Sequence, residues 1–103
     1  MDWKKGDRAA LAKAVLSLRT EDQAKRFLRD LLTEAEITEF AKRFKAARML
    51  SARVPYTRII EETGLSSTTV ARVSKWLTGK GGGYRSVIAA SHHLSRSLAR
   101  GLD

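Results

Sequence analysis

His92 and His93 are the only imidazoles in the chain, and there is no cysteine. Metal binding and general acid–base work both need groups that converge on one point, whereas neighbours on a helix point about 100° apart. The pair is expected to be partly exposed on a terminal helix, with one ring available to cover apolar surface. Glu61 and Glu62 read the same way, as a solvated pair on a helix. The run Thr78-Gly79-Lys80-Gly81-Gly82-Gly83 offers backbone amides and a cation to a phosphate. A P-loop also needs a preceding strand and a Gly-Lys-Ser/Thr ending, so the run reads as a flexible linker instead. An enzyme is the weakest reading of this chain, and no cofactor or metal is expected.

Ser67, Thr68, Arg72 and Lys75 carry a different chemistry. Hydroxyls bond phosphate oxygens or base edges, an arginine forks onto guanine or clamps a phosphate, and a lysine supplies a point charge. With Val70, Val73 and Leu77 turned inward, a step of about 100° per residue leaves Ser67, Thr68, Ala71, Arg72 and Lys75 on or near the outer side of one helix. The amino end of that helix favours phosphate as well.

The charge distribution supports a polyanionic partner. Residues 1–39 hold eight Lys/Arg and eight Asp/Glu, while residues 40–103 hold twelve against three and so carry the whole net charge of +9. DNA, RNA and an anionic membrane all satisfy charge alone. Few aromatics are available to stack single-stranded bases, which counts against RNA. No apolar run approaches the roughly 18 residues of a membrane span, and MDWKKGDRAA lacks a signal peptide's apolar stretch. The expectation is a cytoplasmic protein with no membrane partner.

Helices must position these residues. One proline and abundant Ala, Leu, Lys, Arg and Glu favour helix, and no window alternates as a strand. Residues 7–19 form a first helix, striped by Leu11, Val15 and Leu18. A capping box at Thr20 and Gln23 starts a second, about 21–32, with Ala24, Phe27, Leu28, Leu31 and Leu32 at helical spacing. The same signature at Thr33 and Glu36 starts a third, running to about Ala52, whose face is Ile37, Phe40, Ala41, Phe44 and Ala47. Lys42, Arg43, Lys45, Arg48 and Arg53 surround that face with no acid between Phe40 and Ile60; taken singly, each is a solvated charge.

Pro55 suits the first turn of a short helix to Thr63, Gly64 can end it in the left-handed conformation, and Ser66 or Ser67 can cap a helix to Leu77. A last helix covers 84–98, with Val87, Ser91, Leu94 and Leu98 on one side. Two helices of about nine and eleven residues joined at Gly64 make residues 55–77 a helix-turn-helix. Ile59 and Leu65 bracket its turn. Ile60 departs from the small residue often found where the paired helices approach, and a plain helical hairpin is the alternative. The candidate DNA-contacting residues are Tyr56, Thr57 and Arg58 on the first helix. Ser66, Ser67, Thr68, Thr69, Ala71, Arg72 and Lys75 follow on the second, and Lys80 beyond it.

Together, the segments FLRDLLTEAEI (27–37), AARML (46–50) and ETGLSSTTVARVSKW (62–76), and the Gly-rich stretch ending at Tyr84, resemble the Trp-repressor-like superfamily, most closely its YerC/YecD branch. The resemblance spans about residues 8–88. It implies an all-α domain over 1–103, in which helices 7–52 and 84–98 of two chains interlock and the helix-turn-helix units project as DNA-reading heads. It thus implies a homodimer on a double-stranded operator with two related half-sites, which suits a chain whose core would be marginal alone. In the tryptophan-responsive members an arginine on the long central helix and one on the recognition helix hold the corepressor. Arg43 and Arg72 match them, and complete a possible effector pocket with Val73 and Trp76. Those last two stand where those members carry a glycine and a serine, so tryptophan is not expected to bind tightly, and Trp76 is expected to take up part of the vacated space. The function expected is a sequence-specific transcriptional regulator, acting as a repressor independently of tryptophan. The alternative is a helical protein–protein assembly module.

Overall fold

The computed structural model describes residues 1–91. Among these are six helices and no strand: α1 (Gly6–Leu16), α2 (Glu21–Leu31), α3 (Glu34–Ser51), α4 (Tyr56–Thr63), α5 (Ser67–Thr78) and α6 (83–91). No helix among them is long and apolar enough to cross a membrane. The fold is all-α among the described residues. Two compact units divide the chain at Ile37 and Thr38.

In the first unit both capping boxes form. The Gln23 amide donates to Thr20 Oγ1 at 3.1 Å and the Thr20 amide to Gln23 Oε1 at 3.3 Å. At the start of α3 the Glu36 amide donates to Thr33 Oγ1 at 3.1 Å and the Thr33 amide to Glu36 Oε1 at 2.9 Å. Hydrogen bonding to Thr33, its backbone amide first and its side chain second, holds the Glu36 carboxyl below its ordinary range. α1 is shorter than its apolar pattern. Ser17 Oγ donates back to the Ala14 carbonyl at 2.6 Å, the local competition by which serine ends helices, and Leu18 falls outside. The expected stripe is also largely uncovered: Leu11 is 40% and Val15 54% exposed, and Ala9 is the unit's one buried residue.

The second unit holds a proper core of Ala46, Ala47, Ile59, Leu65, Val70, Val73, Leu77 and Ile88. On α3 the expected face is inward only in part: Ile37 and Phe44 are half-buried and Ala47 is buried. Ala46 and Ala47 are both fully buried, while Phe40 is 44% exposed and Ala41 is exposed. These two adjacent small side chains belong to the core cluster, and Ala46 lies outside the expected stripe. α3 ends in a Schellman motif, with the Arg53 amide on the Leu50 carbonyl at 2.9 Å and the Val54 amide on Met49 at 3.0 Å. Arg53 takes the left-handed position, φ +62°, that glycine usually occupies.

Pro55 is the N-cap of α4 rather than its first residue, with ψ 148°. Gly64 closes α4 at φ +73°, as its type predicted. Thr63 then fastens the turn from inside: its buried hydroxyl donates to the Ile59 carbonyl at 2.7 Å and accepts from the Leu65 amide at 3.2 Å. Thr63→Val keeps the shape and leaves that amide without a partner. It is expected to lower stability by about 1–3 kcal/mol in urea unfolding; a smaller loss would show that the hydroxyl is dispensable to the turn.

Ser66, not Ser67, caps α5, accepting from the Thr69 amide at 3.1 Å. The glycine run after α5 is a shaped turn rather than a loose linker. A Cβ at Gly79 would lie 3.0 Å from the Lys75 carbonyl oxygen, and Gly82 sits at φ +72°. That turn sets the phase of α6, so Ile88 is buried and Val87, expected inside, is 53% exposed. Ser91 is exposed too. Leu94, Leu98, His92 and His93 lie outside the described residues.

Candidate nucleic-acid interface

α5 is fixed to the core along one side only. Val70 is fully buried, Val73 3% exposed and Leu77 8%, while Ser67, Thr68, Ala71, Arg72 and Lys75 are all exposed, the sides expected from helical spacing. Arg72 and Lys75 have no carboxylate within 4.0 Å among the described residues, and α5 itself contains no acid. Their charge is therefore uncompensated at short range. Ser66 and Thr69 serve the cap: Ser66 Oγ donates to Thr69 Oγ1 at 2.9 Å, and Thr69 is half-buried.

On α4, Tyr56 is 43% exposed, and Thr57 and Arg58 are exposed beside it. Arg58 Nε lies 3.1 Å from Glu62 Oε1, an exposed i,i+4 pair that water screens and that holds the guanidinium only weakly. Ile60 is partly buried against the core, so the larger side chain is accommodated where the two helices meet. Lys80 is exposed in the turn after α5.

Arg43, Arg72, Val73 and Trp76 come together. With Thr69 and Tyr84 they line a cavity of about 240 Å³. Arg43 Nε is a loose 3.6 Å from Glu39, and its guanidinium lies 5.6 Å from the Phe40 ring centre. Trp76 does not fill the space; 67% exposed, it forms a wall between this cavity and an apolar hollow of about 440 Å³ reaching Phe44 and Val87. Val73 packs into the core beneath, which leaves Trp76 as a bulky flank rather than a plug. Thr69 could have been read from its place one turn before Arg72. Tyr84 carries no such signal in the sequence, because its place depends on the glycine turn that brings α6 back. Arg85 was missed for the same reason: its guanidinium Nη1 donates to the Leu77 carbonyl at the end of α5.

The sequence profile of the Trp repressor protein family matches residues 7–92. The chain belongs to the Trp repressor family. Within that family it is similar to the "Uncharacterized protein YerC" of Bacillus subtilis (strain 168), at 40% identity over 67 residues. That stretch is 65% of this chain and 64% of YerC, so the match spans less than two-thirds of that relative. The crystal structure of a TrpR-like protein from Eubacterium eligens ATCC 27750 is also similar, with a TM-score of 0.78 and 35% identity over 87% of this chain and 93% of that one. The sequence match places this member of the Trp repressor family in the YerC branch. Its α4–α5 pair, and the cavity between α3 and α5, are the features on which a function must be built.

Proposed function

We propose that this Trp repressor family member is a transcriptional regulator, a repressor, that reads double-stranded DNA through the major groove with α5. The observation that carries the reading is the split of α5 into a buried apolar side and an acid-free outer side bearing Ser67, Thr68, Ala71, Arg72 and Lys75. Tyr56, Thr57, Arg58, Ser66, Thr69 and Lys80 extend this surface toward the phosphate backbone. It works in the cytoplasm as a homodimer, a second copy covering Leu11, Val15, Leu28 and Leu31, each at least 40% exposed in one chain. Paired reading helices then stand about 34 Å apart, one turn of B-DNA, and favour a near-palindrome. The residues 1–103 act as one functional domain, with the helix-turn-helix at 55–77.

Tryptophan is not its switch. The bulk of Val73 and Trp76 flanks the cavity where the resemblance places an indole, and adding volume to such a site costs about 1–3 kcal/mol. The cavity between Arg43 and Arg72 is left as a candidate pocket for another small molecule.

The second reading, an assembly module, is favoured by the same exposed leucines and by Trp76. Selection from random duplex DNA across a salt series, with and without tryptophan, separates the two. The expected result is one near-palindromic site bound by a dimer in sedimentation equilibrium, with log affinity falling linearly with log salt. Salt-insensitive association without a preferred duplex would favour assembly. A folded monomer at saturating DNA would remove the dimer. A tenfold gain in affinity on adding tryptophan, about 1.4 kcal/mol of coupling, would remove effector independence.

A further inference from the structure

We propose that the turn and first helical turns at residues 79–88 are a clamp that fixes the pose of α5, with Arg85 as its positioning residue. The inference rests on the DNA-reading role of α5 and adds to it a residue that meets the end of that helix.

The carboxyl end of a helix leaves its last four carbonyls without intrahelical partners. α3 and α4 satisfy theirs by closing with a residue at positive φ, but α5 does not: Gly79, its C-cap, is extended, with φ −74° and ψ 176°. The Leu77 carbonyl takes its bond from elsewhere, from the Arg85 guanidinium eight residues on. A cation there also meets the negative end of the helix dipole.

The glycines make that return possible. At Gly79 the chain leaves so close to α5 that a Cβ would sit 3.0 Å from the Lys75 carbonyl oxygen. At Gly82, φ +72° turns the chain back, and a Cβ there would lie 3.4 Å from Arg85 Nη2. The guanidinium therefore lies against the turn and under the helix end at once. Ile88, buried at 4% exposure, and the half-buried Tyr84 anchor α6 to the same core as Val70, Val73 and Leu77. α5 is held along its back by apolar contact and at its end by a charged hydrogen bond.

Base contacts demand exact placement, whereas attraction to phosphate does not. Loosening the clamp should therefore cost discrimination rather than general DNA affinity. The test compares Arg85→Ala and Arg85→Lys in the full chain. In the free protein, amide exchange in the last turn of α5 is expected to speed up about tenfold in Arg85→Ala, the scale of a lost hydrogen bond to a charged group, and to recover in Arg85→Lys. On DNA, affinity for the selected site should fall about tenfold while affinity for random duplex at the same salt is unchanged. Equal losses on both duplexes, with a salt slope shallower by about one, would make Arg85 a phosphate contact and overturn the proposal. Unchanged exchange, or faster exchange with intact discrimination, would overturn it too. A protein that binds no duplex at all would defeat the reading role, and the exchange data would still decide whether the clamp exists.

Discussion

Arg72→Ala and Lys75→Ala are each expected to weaken binding to the selected duplex by about 1–3 kcal/mol, roughly ten- to a hundredfold. Both side chains are exposed and without a short-range acidic partner, so neither truncation should disturb folding. The double variant should approach the sum of the two, reduced by whatever coupling their shared helical turn imposes. A side chain that touches bases alters sequence preference when it is removed, while one that touches phosphate weakens every duplex alike. Titration of selected and scrambled duplexes therefore assigns each residue. Undiminished affinity in a folded double variant would take α5 out of the reading role.

Ile59→Ala should produce the largest loss of stability, about 2–5 kcal/mol. Ile59 is fully buried, lies in the cluster that includes Leu65, Val70 and Val73, and gives its carbonyl to the Thr63 hydroxyl. Removing it leaves a void between the two motif helices, against a total stability of about 5–15 kcal/mol for a typical domain. Denaturant unfolding gives the value directly. A loss below about 1 kcal/mol would mean that the site collapses without cost and that α4 and α5 are not locked by this contact.

What the sequence made legible is what short-range chemistry encodes. Thr20, Gln23, Thr33 and Glu36 announced two helix starts because each capping bond spans three residues. Gly64 announced the motif's turn, and Val70, Val73 and Leu77 the inner side of α5. Arg43, Arg72, Val73 and Trp76 line one cavity together. What failed depends on contacts distant in the chain. Ala46 looks neutral in the sequence yet is fully buried in the core cluster, and on α6, which follows the positive-φ turn at Gly82, Ile88 is buried where Val87 is exposed. Arg85 has no meaning until the chain folds back on Leu77. Trp76 lines the cavity without filling it, because volume is readable from residue types and direction is not.

The uneven burial along the chain has a consequence for how it comes apart. Residues 1–37 bury only Ala9, and α2 buries nothing, whereas the unit that begins at Thr38 has a core of eight side chains. Backbone hydrogen bonds without buried side chains over them open at low free energy, and those beneath a core open only near the global limit. An isolated copy would thus have two thresholds in place of one, its amino-terminal helices exchanging their amide protons and yielding to proteases while α4 and α5 still hold. A dilute or newly made chain would keep the α4–α5 pair intact before it kept its whole structure.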